Sequence, residues 1–181
     1  MNFSDRLIMG RYFVLHTLDV LRGRGGQIID VDREFVPQGP QGPAVDIAGA
    51  RYPLPDIAVY MRGRFFWLEV KKRLPVFRNQ RGRYLLALSR ARFDRYAGFA
   101  IQQAAPVWIL FYCVSHDAMR APAASRASAA IKRGAYAANV ATLRPAGEGI
   151  ERGEPVLYFD LLDMRDVTGI FGEGYKPPLL H

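Results

Sequence analysis

Cysteine is almost absent from this 181-residue chain: Cys113 stands alone inside the apolar run Val107 to Val114. That excludes a disulfide framework and a cysteine-based zinc site, and a reducing, cytoplasmic setting is expected. Long hydrophobic runs are absent too. Nothing approaches the roughly 18 residues of a membrane span, and Met1 to Arg11 carries charges where a signal peptide needs an apolar stretch. No membrane partner is expected. A glycine-rich phosphate cradle of the P-loop kind is missing, which argues against an intrinsic ATPase. Acidic residues are short as well, 17 against 25 Lys plus Arg, and the net charge is +8. Lysine is the scarce base, 4 of those 25.

The positive charge is concentrated. Between Arg62 and Arg95 stand 11 basic and two acidic residues, a local net of +9, while the other 147 residues sum to −1. An excess confined to one stretch is the electrostatic footprint of a polyanion-binding face, with nucleic acid the first candidate, an acidic protein partner its rival and a merely solvated face the bland alternative.

Half the residues are hydrophobic, and a chain of this length buries roughly 68–70% of its unfolded surface, enough for a sheet covered by helices. From Asp5 to Arg24, Leu7, Val14, Leu15, Leu18 and Leu21 recur at helical spacing until Gly23, Gly25 and Gly26 end the pattern. Gln27 to Val31 reads as a short strand, and Pro37, Gly39, Pro40, Gly42 and Pro43 as a loop. Ile57 to Met61 and Phe65 to Lys71 read as a hairpin turning at Arg62-Gly63-Arg64. Ser89 to Ala104 predicts an amphipathic helix on Phe93, Tyr96, Ala97, Ala100, Ile101 and Ala104. Val107 to Val114, apolar throughout, predicts a central strand buried on both faces. Ala118 to Leu143, rich in alanine and arginine, is helix-compatible from about Ser125 and reads as a peripheral helix or basic flap. Pro155 to Met164 predicts a last strand, and Gly169 to His181 a tail. The expected fold is α/β, a mixed central β-sheet flanked by helices, in one domain over residues 1–181. Its core covers about 5–114, its peripheral segment about 118–145, and its C-terminal strand and tail about 155–181.

Chemistry concentrates on the hairpin. Pro55-Asp56 opens its first strand and Glu69-Val70-Lys71 closes its second. Alternation puts Glu69 and Lys71 on one face and Val70 on the other, with Asp56 across from Glu69. Two carboxylates and the Val70 backbone carbonyl form an all-oxygen donor set suited to Mg²⁺, with Mn²⁺ able to take its place, and Lys71 adds a cation. A metal that polarises a phosphoryl oxygen and lowers the pKa of water, beside such a cation, is what phosphodiester hydrolysis needs. The bland alternative has Asp56 capping a turn and Glu69 paired with Arg64 or Lys72 at the surface. Around this set, Arg62, Arg64, Lys72, Arg73, Arg78, Arg81 and Arg83 are the candidate contacts to a nucleic-acid backbone. Phe65 and Trp67 share the face of Glu69 and Lys71, where they either stack on a splayed base or pack beneath the Pro-rich loop.

Pro55-Asp56, then Glu69-Val70-Lys71 on a hairpin, then a helix and a buried strand, resembles the PD-(D/E)XK, or restriction-endonuclease-like, nuclease superfamily. Tyr96 and the strand from Pro106 to Phe111 look like the helix and core strand that follow this motif in Holliday-junction resolvases and related phage or mobile-element nucleases. The resemblance implies an α-β-β-β-α-β core, metal bound by Asp56 and Glu69, and a Lys71 that assists the attacking water. It also implies DNA as partner and, for a junction resolvase, a homodimer. The sequence departs from the family in one place: many members carry a Glu on the first helix, and this helix has none. His16 and Asp19, neighbours on one helix face, are the nearest substitutes. Two functions follow from the resemblance. One is a metal-dependent deoxyribonuclease, endo- or exonucleolytic, directed by DNA structure or ends because no sequence-reading element is evident. The other is a catalytically inactive nuclease-fold protein that binds DNA.

Weaker candidates are His116-Asp117, a pair expected in a loop, and Asp160, Asp163 and Asp166, whose spacing does not fix a common face.

Overall fold

The computed structural model describes residues 3–34, 43–73, 76–78, 83–113 and 134–171. The chain begins with helix α1 (Phe3–Gly23), strand β1 (Gln27–Asp30) and a single turn α2 (Val31–Glu34). A hairpin of β2 (Ala44–Ile47) and β3 (Ala50–Pro53) precedes the longer one of β4 (Ile57–Met61) and β5 (Arg64–Arg73). Strands β6 (Val76–Arg78) and β7 (Arg83–Ser89) lead into helix α3 (Arg90–Gln103), then β8 (Val107–Cys113) and β9 (Gly134–Asn139). The last part holds β10 (Gly147–Glu151), β11 (Glu154–Asp160), the short β12 (Arg165–Asp166) and α4 (Thr168–Phe171).

Six strands form the main sheet in the order β1-β4-β5-β8-β9-β12. It is mixed: β5 and β8 run parallel, and the other neighbours antiparallel. Without the inserted elements, α1-β1-β4-β5-α3-β8 is the α-β-β-β-α-β order expected. One face buries Phe13, Leu18 and Leu21 of α1 against Ile57, Val59, Val70 and Leu110. The other packs Ile109, Phe111 and Ala138 beneath Tyr96 and Phe99 of α3 and beneath the second sheet. The central strand is buried as its composition requires, with Val107, Ile109, Leu110 and Phe111 fully enclosed.

Several expectations need correction. Residues 134–139, read as part of a helix or flap, form β9, which pairs antiparallel with β8. Residues 114–133, with His116-Asp117 among them, lie outside the described residues, as does most of the tail. The strand expected near Pro155 joins a separate four-stranded antiparallel sheet, β10-β11-β7-β6, whose other members were not foreseen. Both helices are rotated slightly from their expected faces. Leu15 and Ile101 are exposed, and Phe13 and Phe99 take the buried places. Three hairpins share one device. Their two-residue turns, Ala48-Gly49, Arg62-Gly63 and Arg152-Gly153, all have positive φ at both positions. That geometry matches the right-handed twist of the strands, and glycine adopts it without a Cβ clash.

Candidate active site

The β4–β5 register sets the geometry. Ile57 pairs with Leu68, so Asp56, one residue earlier, lies opposite Glu69. The Val70 N–H donates to the Asp56 carboxylate at 2.7 Å. Trp67 gives its N–H to Pro106 on the β8 side, so alternation turns the backbone of Val70 toward the side where β4 has ended. The Val70 carbonyl therefore faces the same edge as Asp56. On the cleft side Glu69 is almost fully buried, at 2% exposure. It is ion-paired with Lys71 and accepts a hydrogen bond from the Tyr96 hydroxyl of α3.

Electrostatics reflect this crowding. Burial, and then the facing Glu69, push the Asp56 carboxyl up to about 7, with Lys71 and the Val70 N–H working against the rise. Burial, and then the Glu69 carboxylate, hold the Tyr96 hydroxyl well above its ordinary range, so it stays protonated as a donor. Asp56, Glu69 and Lys71 line a cleft of about 380 Å³.

The cleft also contains residues that the sequence did not single out as site members. Asp32 reaches it from α2. That turn is tied down because the Val31 N–H donates to the Asp56 carbonyl at 3.0 Å. Arg11 of α1 forks onto the buried Asp30, with one bond at 2.8 Å, and approaches Asp32 at 3.9 Å. From the start of α3, Arg92 and Arg95 form a basic wall. No acidic residue occupies the first turn of that helix, so the arginines add to the positive end of the helix dipole rather than offset it. The same spacing that predicted α3 put Arg92 one turn before Tyr96 and Arg95 immediately before it, a signal that was available in the sequence.

Other candidates lie elsewhere. His16 bonds the Phe171 carbonyl at 2.8 Å, and Asp19 is exposed beside Arg22. Neither lines the cleft, so neither replaces the missing first-helix acid. Arg62 and Arg64 sit at the far tip of the hairpin, and Lys72 points to the face opposite Lys71. Arg83 pairs with buried Asp160 at 3.5 Å. Arg73 and Arg78 lie on β5 and β6, their side chains outside the described ones, and Arg81 lies outside the described residues altogether. Asp160 and Asp166 each accept a backbone N–H two residues on, as turn caps do.

The donor set suits a hard divalent cation. Two carboxylates that oppose each other's ionisation, beside a backbone carbonyl, offer only oxygen, which is the chemistry Mg²⁺ prefers. Among the described residues no group of three or more His, Cys, Asp or Glu comes together as a metal cluster. The protein would therefore contribute few ligands and leave the remaining positions to water, as Mg²⁺ sites commonly do.

Neither a protein-family model nor a curated protein matches the sequence. Among solved structures, the fold is similar to Hjc, a Holliday junction resolvase of the hyperthermophilic archaeon Archaeoglobus fulgidus. The two share 17% identity over 92% of this chain and 98% of that one, with a TM-score of 0.49. It is also similar to a nuclease from a fusselovirus, at 7% identity over 93% of this chain and 90% of that one, with a TM-score of 0.39. Among the described residues, no helix is long and apolar enough to cross a membrane.

Proposed function

We propose that the protein is a metal-dependent deoxyribonuclease of the cytoplasm that hydrolyses phosphodiester bonds at the Asp56–Glu69–Lys71 cleft. The observation that carries this reading is the juxtaposition itself. Two carboxylates and a lysine converge in one cleft, and the wall across from them is arginine. Asp56, Glu69 and the Val70 carbonyl would hold Mg²⁺, which supplies polarisation of the phosphoryl oxygen and of the attacking water. The chain's own residues do the rest. The Val70 N–H orients Asp56, and Tyr96 fixes Glu69. Lys71 places a compact ammonium beside the attacking water and beside the charge that develops on the phosphate. Arg92 and Arg95 engage the flanking phosphates. Symmetric cleavage of a branched substrate takes two such sites, hence a homodimer for that substrate.

A second reading, an inactive nuclease-fold protein that binds DNA, draws on one observation: α1 contributes Arg11 to this region, where a third carboxylate would be expected. The deciding experiment is cleavage of labelled duplex, single strand, flap and four-way junction with Mg²⁺, Mn²⁺ or EDTA, with Asp56→Ala and Lys71→Ala run beside the wild type. Metal-dependent cutting that both variants lose is the expected result. Binding without cutting by all three proteins establishes the second reading instead.

Binding itself should depend steeply on salt, and Arg92 and Arg95 should account for part of that slope. In EDTA, Arg92→Ala with Arg95→Ala is expected to weaken DNA binding and to reduce the log–log salt slope by about one to two, each lost phosphate contact being worth roughly one. An unchanged slope would remove both arginines from the DNA path.

A further inference from the structure

The face of the main sheet that carries Asp56, Glu69 and Lys71 is only half covered. Helix α3 and the second sheet cover its β8–β9 half. Toward β1 and β4 no described element covers it. There Ile29, on the edge strand, and Tyr60 and Phe65, in the row before the turn, are 49%, 48% and 43% exposed. The register makes them neighbours: Tyr60 pairs with Phe65, and Ile29 pairs with Ala58, one row nearer the cleft. Counting rows from the site, Asp56 faces Glu69, then Ala58 faces Trp67, then Tyr60 faces Phe65. Phe65 thus lies about 13 Å along β5 from Glu69, four residues at ~3.3 Å each. Trp67 anchors the row between. It stands edge-on to Phe65, centroids 5.5 Å apart at 87°, and edge-on to Phe99 of α3 at 5.4 Å. Beyond the last row comes the turn with Arg62, while Arg64, paired with Met61, alternates to the opposite face.

We propose that Tyr60 and Phe65, bordered by Ile29, are a stacking platform for unpaired bases of a nucleic-acid strand whose backbone runs from the cleft to the arginine tip, so that the substrate is single-stranded or splayed. This rests on the nuclease reading of the cleft. Aromatic faces bind any base, and flanking cations track the backbone, which is the general recipe for single-strand binding without sequence preference. A stacked duplex keeps its base faces covered and offers a flat aromatic pair nothing to bind. Charge complementarity favours this occupant over an apolar protein surface, because the row opens at one end on the cleft with Lys71, Arg92 and Arg95 and at the other on Arg62 in the hairpin turn.

The test is fluorescence anisotropy in EDTA with a labelled single-stranded oligonucleotide and a blunt duplex of the same length, for wild type, Tyr60→Ala, Phe65→Ala, Tyr60→Phe and Phe65→Tyr. Each alanine variant is expected to weaken single-strand binding about tenfold, the worth of one base–aromatic stack. The aromatic replacements should stay near wild type, and duplex binding should move less than twofold. In a Trp108→Phe background, Trp67 is the one remaining tryptophan, and its emission should be quenched by the single strand and not by the duplex. Equal weakening on both DNAs, or on neither, overturns the platform. So does a change in oligomeric state without a change in DNA binding, which would assign the patch to a second copy of the chain. Flap and duplex cleavage in Mg²⁺, measured alongside, separates the two claims. Cutting without single-strand discrimination sinks only the platform, whereas stacking without cutting supports the platform and sinks only the nuclease.

Discussion

Asp56→Asn is expected to abolish cleavage while making the metal-free protein more stable above neutral pH. The first half follows from losing an anionic ligand, worth several kcal/mol of charge stabilisation and so a rate loss of at least ~10³-fold. The second half follows from the Asp56 environment. Burial and the opposing Glu69 raise its carboxyl to about 7 from an ordinary 3.8. Between those two values the folded chain holds a proton that the unfolded chain has released. Stability therefore falls as pH rises through the window from about 4 to about 7, and the whole penalty is present above it. Asparagine has no proton to lose, and its carbonyl can still accept the Val70 N–H. In EDTA at pH 8 the variant should melt roughly 2–8 °C above wild type, the equivalent of ~1–2 kcal/mol in a chain of this size. The two should converge toward pH 4. Thermal scans at pH 4, 6 and 8 check this, and a variant that melts lower than wild type at pH 8 would make Asp56 a structural residue. Mg²⁺ should likewise raise the wild-type melting temperature more at pH 8 than at pH 6, because binding at Asp56 must displace that proton.

Lys71→Met should do the opposite to stability. In the metal-free protein Lys71 is the cation that compensates the buried Glu69. Methionine keeps the length of the side chain and removes the charge, leaving a nearly inaccessible carboxylate with only the Tyr96 hydroxyl. Breaking one side of a buried pair costs about 3–5 kcal/mol, here toward the lower end because Lys71 keeps 15% exposure. Cleavage should fall by ~10²–10³-fold, the usual effect of deleting one group that stabilises transition-state charge. The two losses differ in their response to metal. Saturating Mg²⁺ should restore much of the melting temperature by neutralising Glu69 and should leave the rate low. Recovery of both would show that Lys71 serves only to balance charge, and recovery of neither would place the metal away from Glu69.

Legibility of the site varied with how local each relation is. The face shared by Glu69 and Lys71, and the opposite face taken by Val70, are consequences of a period of two within one strand. The short turn at Arg62-Gly63 then brings Asp56 across from Glu69, so three site residues could be placed from fewer than twenty consecutive letters. The same turn chemistry at Ala48-Gly49 and Arg152-Gly153 marks two hairpins that went unread, because neither is flanked by clean hydrophobic alternation. Helical spacing located α3 but misjudged its rotation by one position: Phe99 is the residue beneath, and Ile101 is exposed. The arginine excess was visible, but its members disperse. Arg83 is held by Asp160, Arg62 and Arg64 go to the hairpin tip, and Arg92 and Arg95 reach the cleft.

The sequence by itself therefore determined the central buried strand, the β4–β5 hairpin with its facing carboxylates, and the basic character of the region around them. All of these follow from hydrophobic pattern, alternation and turn geometry over short separations. Only the tertiary structure decided that Asp32 joins the cleft, that Arg11 is spent on Asp30, that the strand near Pro155 belongs to a second sheet, and that no described element covers Tyr60 and Phe65. Each of those depends on how elements far apart in the chain pack, as when the Val31 N–H ties α2 to Asp56. Such contacts are set by the shape and burial of the whole assembly, which no local period encodes.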